Sequence, residues 1–277
     1  MNIIDAHIHL FEKPCGDLFD NVHIKTGPDG EARLFEQYRR AFGIEGAFVI
    51  GYEDRRQPRN NAYVRSLAKR CRWIHSFGYV RANPATMLHK ARELAGYGHV
   101  GLSCYLDRQD SAEWLVSGTM APFWDFLQER RMPISFNLST FQCRPLAEVC
   151  AAHPGVRVLI SHMARPKVVK GKLDERDYAP LLALADHEGA YVKLSGFYAY
   201  VKDSWRWPQR GLFVVVDRLR SAFGAKRLLF ASDFSPVLEH NTYRQTLELL
   251  RTEYRGLSAQ ELADVYGSNA KRILEGR

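Results

Sequence analysis

The sequence lacks three patterns that would assign it to common classes of protein. Its five cysteines include no Cys-x-x-Cys pair, so neither a disulfide framework nor a zinc ribbon is predicted, and a reducing cytoplasm is the expected location. No apolar run approaches the roughly 18 residues that a membrane span requires. The first residues also lack the basic-then-apolar order of a signal peptide. The sequence therefore predicts a cytoplasmic protein without membrane contact.

Basic residues exceed acidic residues, yet they form no basic tract. The chain of 277 residues has 39 Lys and Arg against 31 Asp and Glu, a formal net charge of +8. Pairs such as Arg39-Arg40 and Arg130-Arg131 fall on predicted helices, where they are typical of solvated faces. We therefore expect no nucleic-acid partner. The positive balance favours an anionic small-molecule substrate instead, and formation of a homo-oligomer is left open.

Short apolar or β-branched segments recur along the whole chain. Eight strands are predicted, near Asn2–His7, Glu45–Tyr52, Trp73–Tyr79, Val100–Cys104, Pro133–Leu138, Val156–His162, Ala190–Ser195 and Arg227–Asp233. Amphipathic helical patterns separate them, at Ala32–Phe42, Asn61–Cys71, Thr86–Ala95, Phe123–Arg131, Leu146–His153, Tyr178–Glu188 and Leu212–Phe223. Such alternation is typical of a parallel sheet covered by helices, and eight units in a chain of this length predict an α/β fold, a (β/α)₈ TIM barrel.

The pattern continues beyond the eighth strand with extra C-terminal helices. Tyr243–Arg251 has a helical pattern, and Ser258 with Glu261 forms a capping box that predicts the start of another helix. No linker, repeat or low-complexity tract interrupts the chain, so we predict one domain over residues 1–277. Three long segments follow strand ends, where barrel active sites are assembled; they are Phe11–Gly30, Ala164–Asp177 and Gly196–Gly211.

Polar side chains accumulate at the carboxyl ends of the predicted strands. His7 and His9 are one residue apart on the first strand, so they are expected to face the same way. His162 ends the sixth strand and Asp233 ends the eighth. For His162 alone, the alternative role is that of a hydrogen-bonded core histidine. For Asp233 alone, it is that of a cap for the next turn. In a barrel, however, the four side chains converge on one cavity, which predicts a joint catalytic role.

Five segments carry a resemblance to a known family, and they occur in the order of the strands. They are Ile4-Asp5-Ala6-His7-Ile8-His9-Leu10, Ile160-Ser161-His162-Met163-Ala164-Arg165-Pro166, Val192-Lys193-Leu194-Ser195-Gly196, Phe230-Ala231-Ser232-Asp233-Phe234 and Gly267-Ser268-Asn269-Ala270-Lys271-Arg272. The chain resembles the amidohydrolase superfamily, in the branch that includes 2-pyrone-4,6-dicarboxylate lactonase and the sugar-acid lactonases. The resemblance implies a hydrolase with His7, His9, His162 and Asp233 as its catalytic set.

At two positions where many metal-dependent members of the superfamily have a metal ligand, this chain has a different residue. Many members place a bridging lysine, carboxylate or cysteine on the fourth strand, where this chain has Gly101-Leu102-Ser103-Cys104, and we expect Cys104 to be a small buried strand residue. Many also place a histidine at the end of the fifth strand, where this chain has Asn137. A two-metal centre is therefore not expected. A single zinc held by His7, His9 and Asp233 and a site without metal both remain open.

The leading hypothesis is a lactonase that opens a carboxylated or polyhydroxylated lactone. Asp233 would activate water, and the three histidines would stabilise the carbonyl oxyanion. Four residues are predicted to bind substrate: Asn137, Arg165, Lys193 and Tyr198. Tyr200, Trp205 and Trp207 would complete an aromatic wall with Tyr198, and packing on the barrel rim is the alternative for these rings. Two alternative functions are a metal-dependent non-oxidative decarboxylase and a barrel that binds a ligand without catalysis.

Overall fold

The computed structural model describes residues 2–12 and 29–276. Most of the predicted long segment Phe11–Gly30, including Cys15, therefore lies outside the described residues. Within the described part of the chain, no helix has the length and apolar character to span a membrane. The predicted cytoplasmic location and the question of oligomers are not tested by the fold.

Ten strands are described, and eight of them form one parallel sheet. In chain order the strands are Ile3–Ile8 (β1), Ile44–Ile50 (β2), Ile74–Tyr79 (β3), Gly101–Tyr105 (β4), Ile134–Asn137 (β5), Val158–Ile160 (β6), Val168–Val169 (β7), Lys172–Leu173 (β8), Ala190–Leu194 (β9) and Leu228–Phe230 (β10). The sheet order is β1-β2-β3-β4-β5-β6-β9-β10, while β7 and β8 pair antiparallel within the predicted long segment Ala164–Asp177. The predicted (β/α)₈ barrel is thus confirmed.

Helices connect the strands and surround the sheet. The α-helices are Gly30–Phe42 (α1), Asn60–Arg70 (α2), Pro84–Tyr97 (α3), Ala121–Glu129 (α4), Cys143–Ala152 (α5), Glu175–Ala183 (α6), Phe213–Phe223 (α7), Tyr243–Glu248 (α8), Ala259–Ala263 (α9) and Asn269–Leu274 (α10). Helix α8 continues as a π-helical turn over Leu249–Glu253, and a second π-helical turn, Asp264–Ser268, joins α9 to α10. The predicted capping box is present, with Ser258 and Glu261 each bonded to the other's backbone.

The barrel closes where β10 meets β1, and this junction positions the site. The Asp233 amide donates to the His7 carbonyl at 2.9 Å, and the His9 amide donates to the Phe234 carbonyl at 2.5 Å. These two backbone hydrogen bonds continue the parallel ladder beyond the regular strands. The segments that carry His7, His9 and Asp233 are therefore held side by side, although more than 220 residues separate them along the chain.

Apolar side chains fill the lower part of the barrel interior, below a polar layer. Ile4, Phe48, Leu159, Tyr191 and Leu229 belong to one buried interior cluster, which Ala270 and Ile273 of α10 complete. A second cluster lies between the strands and the surrounding helices, and it contains Cys104, as predicted for a small buried strand residue. A polar layer on this apolar floor is expected of a barrel whose chemistry takes place at the carboxyl ends of its strands.

The C-terminal segment packs against the N-terminal end of β1. A Cβ atom at Gly267 would collide with the Asn2 carbonyl, so only glycine permits this approach. The side-chain amide of Asn269 donates to the backbone carbonyls of Ala225 and Leu228, at 2.8 and 2.7 Å. The Gly267–Arg272 motif therefore acts in the barrel's construction, on the side opposite the strand ends that carry the histidines.

Two predicted strands, Val156–His162 and Arg227–Asp233, are each four residues too long, since the observed strands are Val158–Ile160 and Leu228–Phe230. Val156–His162 was expected, but the strand ends at Ile160, and the residues from 162 to 165 all have positive φ angles of 52° to 60°. Four successive residues in the left-handed region form a tight turn that L-residues rarely adopt, at a cost of about 1–2 kcal/mol each. Sequence periodicity does not show this turn, because the residues are neither glycine nor asparagine.

Candidate active site

A break in the β1 pairing turns His7 and His9 into the barrel. The register of β1 against β2 shifts between Asp5 and Ile8. Without a shift, Asp5 and His7 would share a face, whereas Asp5 bonds outward to the Tyr243 hydroxyl of α8 at 2.8 Å. His7 and His9 do share a face, since their Nε2 atoms are 3.1 Å apart. The expected common orientation of the two histidines is therefore present.

Asp233 lies opposite this pair. Its Oδ1 is 3.7 Å from Nε2 of His7 and 3.7 Å from Nε2 of His9. Its Oδ2 accepts a hydrogen bond of 2.6 Å from the Tyr198 hydroxyl. Asp233 has a φ of 61°, a strained value that turns its side chain over the barrel mouth. Its carboxylate therefore contacts site residues instead of capping the next turn.

His162 joins the same cluster from the left-handed turn after β6. Its ring centroid is 4.7 Å from that of His7, and its Nδ1 is 3.9 Å from Oδ2 of Asp233. The Ser195 hydroxyl lies 2.8 Å from this Nδ1 and also accepts from the His162 amide at 3.3 Å. The four residues predicted as the catalytic set are thus brought together, and each is at least nine-tenths buried.

Burial makes the neutral form the favoured state of all three imidazoles. It lowers the pKa of His7 well below the ordinary 6.5, and Lys193 and the other two histidines lower it further. Burial also lowers the pKa of His9 and of His162, although the Asp233 carboxylate acts in the opposite direction. At neutral pH each ring therefore carries one proton and can donate through only one nitrogen.

Lys193 lies inside the barrel, on the edge of the His7 ring that faces away from Asp233. Its Nζ is 3.3 Å from Nδ1 of His7 and donates to the Ser135 hydroxyl at 2.7 Å. The side chain is fully buried, and burial lowers its pKa to about 7 against the opposing effect of Asp233 and Asp5. Lys193 was predicted to bind substrate. The structure places its amine against His7 and Ser135.

Arg165 and Asn137 form one unit at the rim. The Asn137 side-chain oxygen accepts from the Arg165 guanidinium at 2.7 Å, and the Ser139 hydroxyl accepts a second hydrogen bond at 3.3 Å. Arg165 is half-buried, and burial lowers its pKa while the Tyr200 hydroxyl raises it. Asn137 thus orients a guanidinium at the site.

Tyr105 is a site residue that the sequence reading did not single out. Its hydroxyl is buried and has no hydrogen-bond partner among the described residues. Burial raises its pKa well above 10, and the Asp233 carboxylate raises it further while Arg165 lowers it, which places the hydroxyl near both. Tyr105 also packs against Tyr52 and Tyr79, the aromatic residues that end or follow β2 and β3. Aromatic residues at three successive strand ends were the available signal.

The predicted aromatic wall divides into two pairs. Tyr198 contacts Asp233 and stacks on His240 with ring centroids 4.6 Å apart, and Tyr200 bonds to Arg165. Trp205 is 69 % exposed, and the Trp207 indole donates to the Gln245 carbonyl at 3.3 Å. The two tyrosines are therefore at the site, while Trp207 packs onto the rim and Trp205 faces solvent.

Known proteins are similar to this chain over most of its length. The sequence model of the amidohydrolases matches residues 4–276. The chain belongs to the amidohydrolase family. A curated relative, the L-fucono-1,5-lactonase of Burkholderia ambifaria, is 22 % identical over 245 residues, which cover 83 % of this chain and 79 % of the relative. The amidohydrolase family is a family of enzymes, and this chain is a hydrolase.

Two solved amidohydrolase-like structures share the whole fold. An amidohydrolase of Burkholderia multivorans with bound zinc superposes with a TM-score of 0.79 at 20 % identity, covering 99 % of both chains. A protein called a probable 2-pyrone-4,6-dicarboxylic acid hydrolase, from Acinetobacter baumannii with citric acid bound, superposes with a TM-score of 0.75 at 15 % identity. That superposition covers 99 % of this chain and 100 % of the other. At these identities the likeness establishes the barrel alone.

The spacing of the donor atoms in this amidohydrolase suits a metal ion. His7, His162 and Asp233 each offer a ligand atom within 4.8 Å of the others. The predicted set is closer still, with separations of 3.1, 3.7 and 3.7 Å among His7, His9 and Asp233. Ligand atoms of a tetrahedral zinc lie about 3.3–3.4 Å apart, given bond lengths of about 2.0–2.1 Å.

The hydrogen-bonded neighbours of His7 do not suit a metal ion. A histidine that binds a metal through Nε2 carries its proton on Nδ1 and donates it to an acceptor. Here Nδ1 of His7 faces the Lys193 side chain at 3.3 Å, and the protonated form of that amine has N–H donors and no lone pair to accept a hydrogen bond. The distances between the donor atoms fit a metal ion, but the arrangement of protons around His7 does not fit one while Lys193 is protonated.

Proposed function

We propose that this hydrolase opens a lactone that carries a carboxylate or several hydroxyl groups. The arrangement of Asp233 carries the proposal. One carboxylate oxygen is held by Tyr198 at 2.6 Å, and the other faces the histidine pair across 3.7 Å. That gap is too long for a direct hydrogen bond, so Oδ1 is free to take a proton from a water placed between the groups.

Asp233 is the general base in this proposal. It takes a proton from water as the water oxygen forms a bond to the lactone carbonyl carbon. The carbonyl oxygen becomes an oxyanion, and the tetrahedral adduct then collapses by breaking the bond to the ring oxygen. Asp233 returns its proton to that oxygen, which leaves a hydroxy acid and restores the site. A positioned base of this kind contributes about 10²–10⁴-fold to a rate.

His162 donates a hydrogen bond to the developing oxyanion, and His7 shares its Nε2 proton between Nε2 of His9 and that oxyanion in a three-centre hydrogen bond. The Ser195 hydroxyl lies 2.8 Å from Nδ1 of the His162 ring, and in this proposal it donates to that nitrogen, so the ring proton is on Nε2. His9 was predicted to have the same role. Its Nδ1 is 3.0 Å from the Ile50 carbonyl, which can only accept, so the unprotonated Nε2 of His9 orients His7 by accepting its hydrogen bond.

Arg165 binds the carboxylate of the substrate. Asn137 and Ser139 take two of its donors, and this fixes the plane of the guanidinium. Tyr105 adds a buried hydroxyl without a partner among the described residues, which substrate oxygen can satisfy. The citric acid bound in the Acinetobacter baumannii structure supports a carboxylated ligand, and the lactonase name of the Burkholderia ambifaria relative supports a polyhydroxylated lactone.

The test is a pH-indicator hydrolysis assay against sugar-acid lactones, pyrone dicarboxylates and muconate lactones. The wild-type protein is expected to release protons from one of these classes. Asp233→Asn is expected to lose about 10²–10⁴-fold of that rate. Asp125→Asn is the matched control, since Asp125 is 57 % exposed on α4 and pairs with His153. Near-wild-type hydrolysis by Asp233→Asn would overturn the proposal.

Silence across the whole lactone panel would also count against it. Release of carbon dioxide from carboxylated substrates would then indicate the decarboxylase alternative. Tight binding of a compound that is recovered chemically unchanged would indicate the ligand-binding alternative. Retention of four buried ionisable groups in one cluster favours catalysis over binding, because such groups are costly to desolvate.

A further inference from the structure

The position of one proton decides what His7 can do. A nitrogen that binds a metal must present a free lone pair, whereas a nitrogen that donates a hydrogen bond must carry a proton. We propose that Lys193, together with Ser135 and Ser161, keeps the His7 proton on Nε2 and so commits His7 to hydrogen-bond donation instead of metal binding. Lys193 is a positioning residue here, because it acts through His7. Only the donation to substrate rests on the proposed lactonase function.

Two donors converge on Nδ1 of His7. The Lys193 amine and the Ser161 hydroxyl each lie 3.3 Å from this nitrogen. Lys193 also donates to the Ser135 hydroxyl at 2.7 Å, and the hydroxyl oxygens of Ser135 and Ser161 are 3.2 Å apart. When Lys193 is protonated, the protons of this network therefore follow one direction. Lys193 donates to Ser135, Ser135 donates to Ser161, and Ser161 together with Lys193 donates to His7.

The reverse order leaves a proton without an acceptor. If Nδ1 of His7 donated to Ser161, the Ser161 hydroxyl would donate to Ser135. Within the part of the chain that the structure describes, the remaining hydrogen-bond contact of the Ser135 hydroxyl is Lys193, whose protonated amine donates to it and has no lone pair. The Ser135 proton would then be buried without a partner, which is unfavourable because that group has lost its contact with water.

The contact at Nε2, on the opposite edge of the His7 ring, independently places the proton on Nε2. Nδ1 of His9 lies 3.0 Å from the Ile50 carbonyl, so that nitrogen carries the His9 proton and Nε2 of His9 is bare. Nε2 of His7 lies 3.1 Å from this bare nitrogen. Two lone pairs at that distance repel each other, whereas an N–H on His7 makes a hydrogen bond. Both edges of the His7 ring therefore place its proton on Nε2.

The amine also disfavours a cation at this site directly. Lys193 is fully buried, so when it is protonated solvent does not screen its charge from His7. A divalent ion on Nε2 of His7 would require the ring to shed its proton there, accept one on Nδ1 and turn a donor towards the Lys193 amine. Spacing that suits zinc thus coexists with a hydrogen-bond network that opposes it.

The first test determines the His7 tautomer in the wild-type protein. Histidine labelled with ¹⁵N distinguishes the protonated from the unprotonated ring nitrogen by chemical shift and by coupling to the ring protons. The His7 signals are assigned by their loss in His7→Gln. We expect a protonated Nε2 and an unprotonated Nδ1. A proton on Nδ1 would overturn the proposal, and no folded Lys193 variant is needed for that result.

The second test measures zinc binding by equilibrium dialysis of the full chain. Lys193→Met removes the donor and the charge while preserving side-chain length, and we expect its zinc dissociation constant to be at least tenfold lower than that of the wild type. Lys226→Met is the control, because it removes the same charge from an exposed position. Equal affinity of wild type and a folded Lys193→Met would contradict the proposal. If Lys193→Met does not fold, the wild-type tautomer decides alone.

Neither test requires a substrate. Failure of the lactone panel therefore leaves the His7 tautomer and the zinc affinities as independent results. Conversely, a proton found on Nδ1 of a protein that hydrolyses lactones would reject the role of Lys193 and retain the lactonase function.

Discussion

The Tyr198 hydroxyl donates to Oδ2 of Asp233 across 2.6 Å, from a loop that follows β9 to a residue that follows β10. This hydrogen bond leaves Oδ1 of Asp233 directed at the histidine pair. Tyr198 is also stacked on His240, which restrains its ring. Through the hydrogen bond from Tyr198, the loop after β9 orients the Asp233 carboxylate.

Tyr198→Phe is expected to lower kcat by about 10–100-fold and to leave KM nearly unchanged, because a small misplacement of a catalytic group has an effect of this size. Steady-state kinetics on the lactone identified in the panel measures it, with the melting temperature as the control for folding. An unchanged kcat would show that Asp233 needs no support from Tyr198.

Arg165→Met is expected to raise KM for a carboxylated lactone by about 10–100-fold, since a charged hydrogen bond of about 1.5–3 kcal/mol is lost. A neutral lactone of the same ring size should be unaffected. Arg176→Met, at an exposed position of α6, is the matched control. An equal loss on charged and neutral lactones would assign Arg165 to structure instead of carboxylate binding.

Tyr243→Phe is expected to lower the free energy of unfolding by about 1–3 kcal/mol, because it removes a buried donor to a carboxylate. The Tyr243 hydroxyl bonds to Asp5 at 2.8 Å, and Asp5 also accepts from the amides of His7 and Ser232. Denaturant unfolding measures the change. Tyr97→Phe, which alters a 61 % exposed ring, should have no effect. Equal stability of the two variants would contradict the prediction.

Glu31 is expected to make stability depend on pH. Burial raises its pKa from 4.5 to about 8, although the Phe11 amide and the Ser235 hydroxyl lower it. The folded state therefore binds this proton more tightly than the unfolded state. Its stabilising effect is complete below about pH 4.5 and is lost as the pH rises towards 8.

Glu31→Gln should remove this part of the slope and gain stability relative to the wild type as the pH approaches 8. Its amide can donate to Ser235 and its carbonyl can accept from Phe11, so both hydrogen bonds are kept. Urea unfolding between pH 5 and pH 8.5 measures the difference, with exposed Glu113→Gln as the control. Parallel pH profiles for wild type and Glu31→Gln would reject the role of Glu31.

Much of the fold was predictable because it depends on local periodicity. The eight barrel strands and the helices between them occur where apolar runs and helical patterns predicted them, with differences of a few residues at their ends. Two strands were predicted four residues too long, and one of them was expected to end at His162. Its last residues adopt a left-handed turn that only the surrounding barrel stabilises.

The meeting of His7, His9, His162 and Asp233 followed from the order of the strands, since parallel strands present their carboxyl ends at one rim. The partners of these residues did not follow from it. Lys193 is 186 residues from His7, and Tyr198 is 35 residues from Asp233. No local pattern encodes which side chain fills the space beneath a ring or beside a carboxylate.

The sequence by itself determined the number of barrel strands, their order and the residue types at their ends, because strand and helix periodicities are local properties. Tertiary structure alone decided the shift in β1 that separates Asp5 from His7, the burial of the Tyr105 hydroxyl without a partner among the described residues, and the network beneath His7. These features depend on packing between distant segments, which sets where each buried proton can find an acceptor.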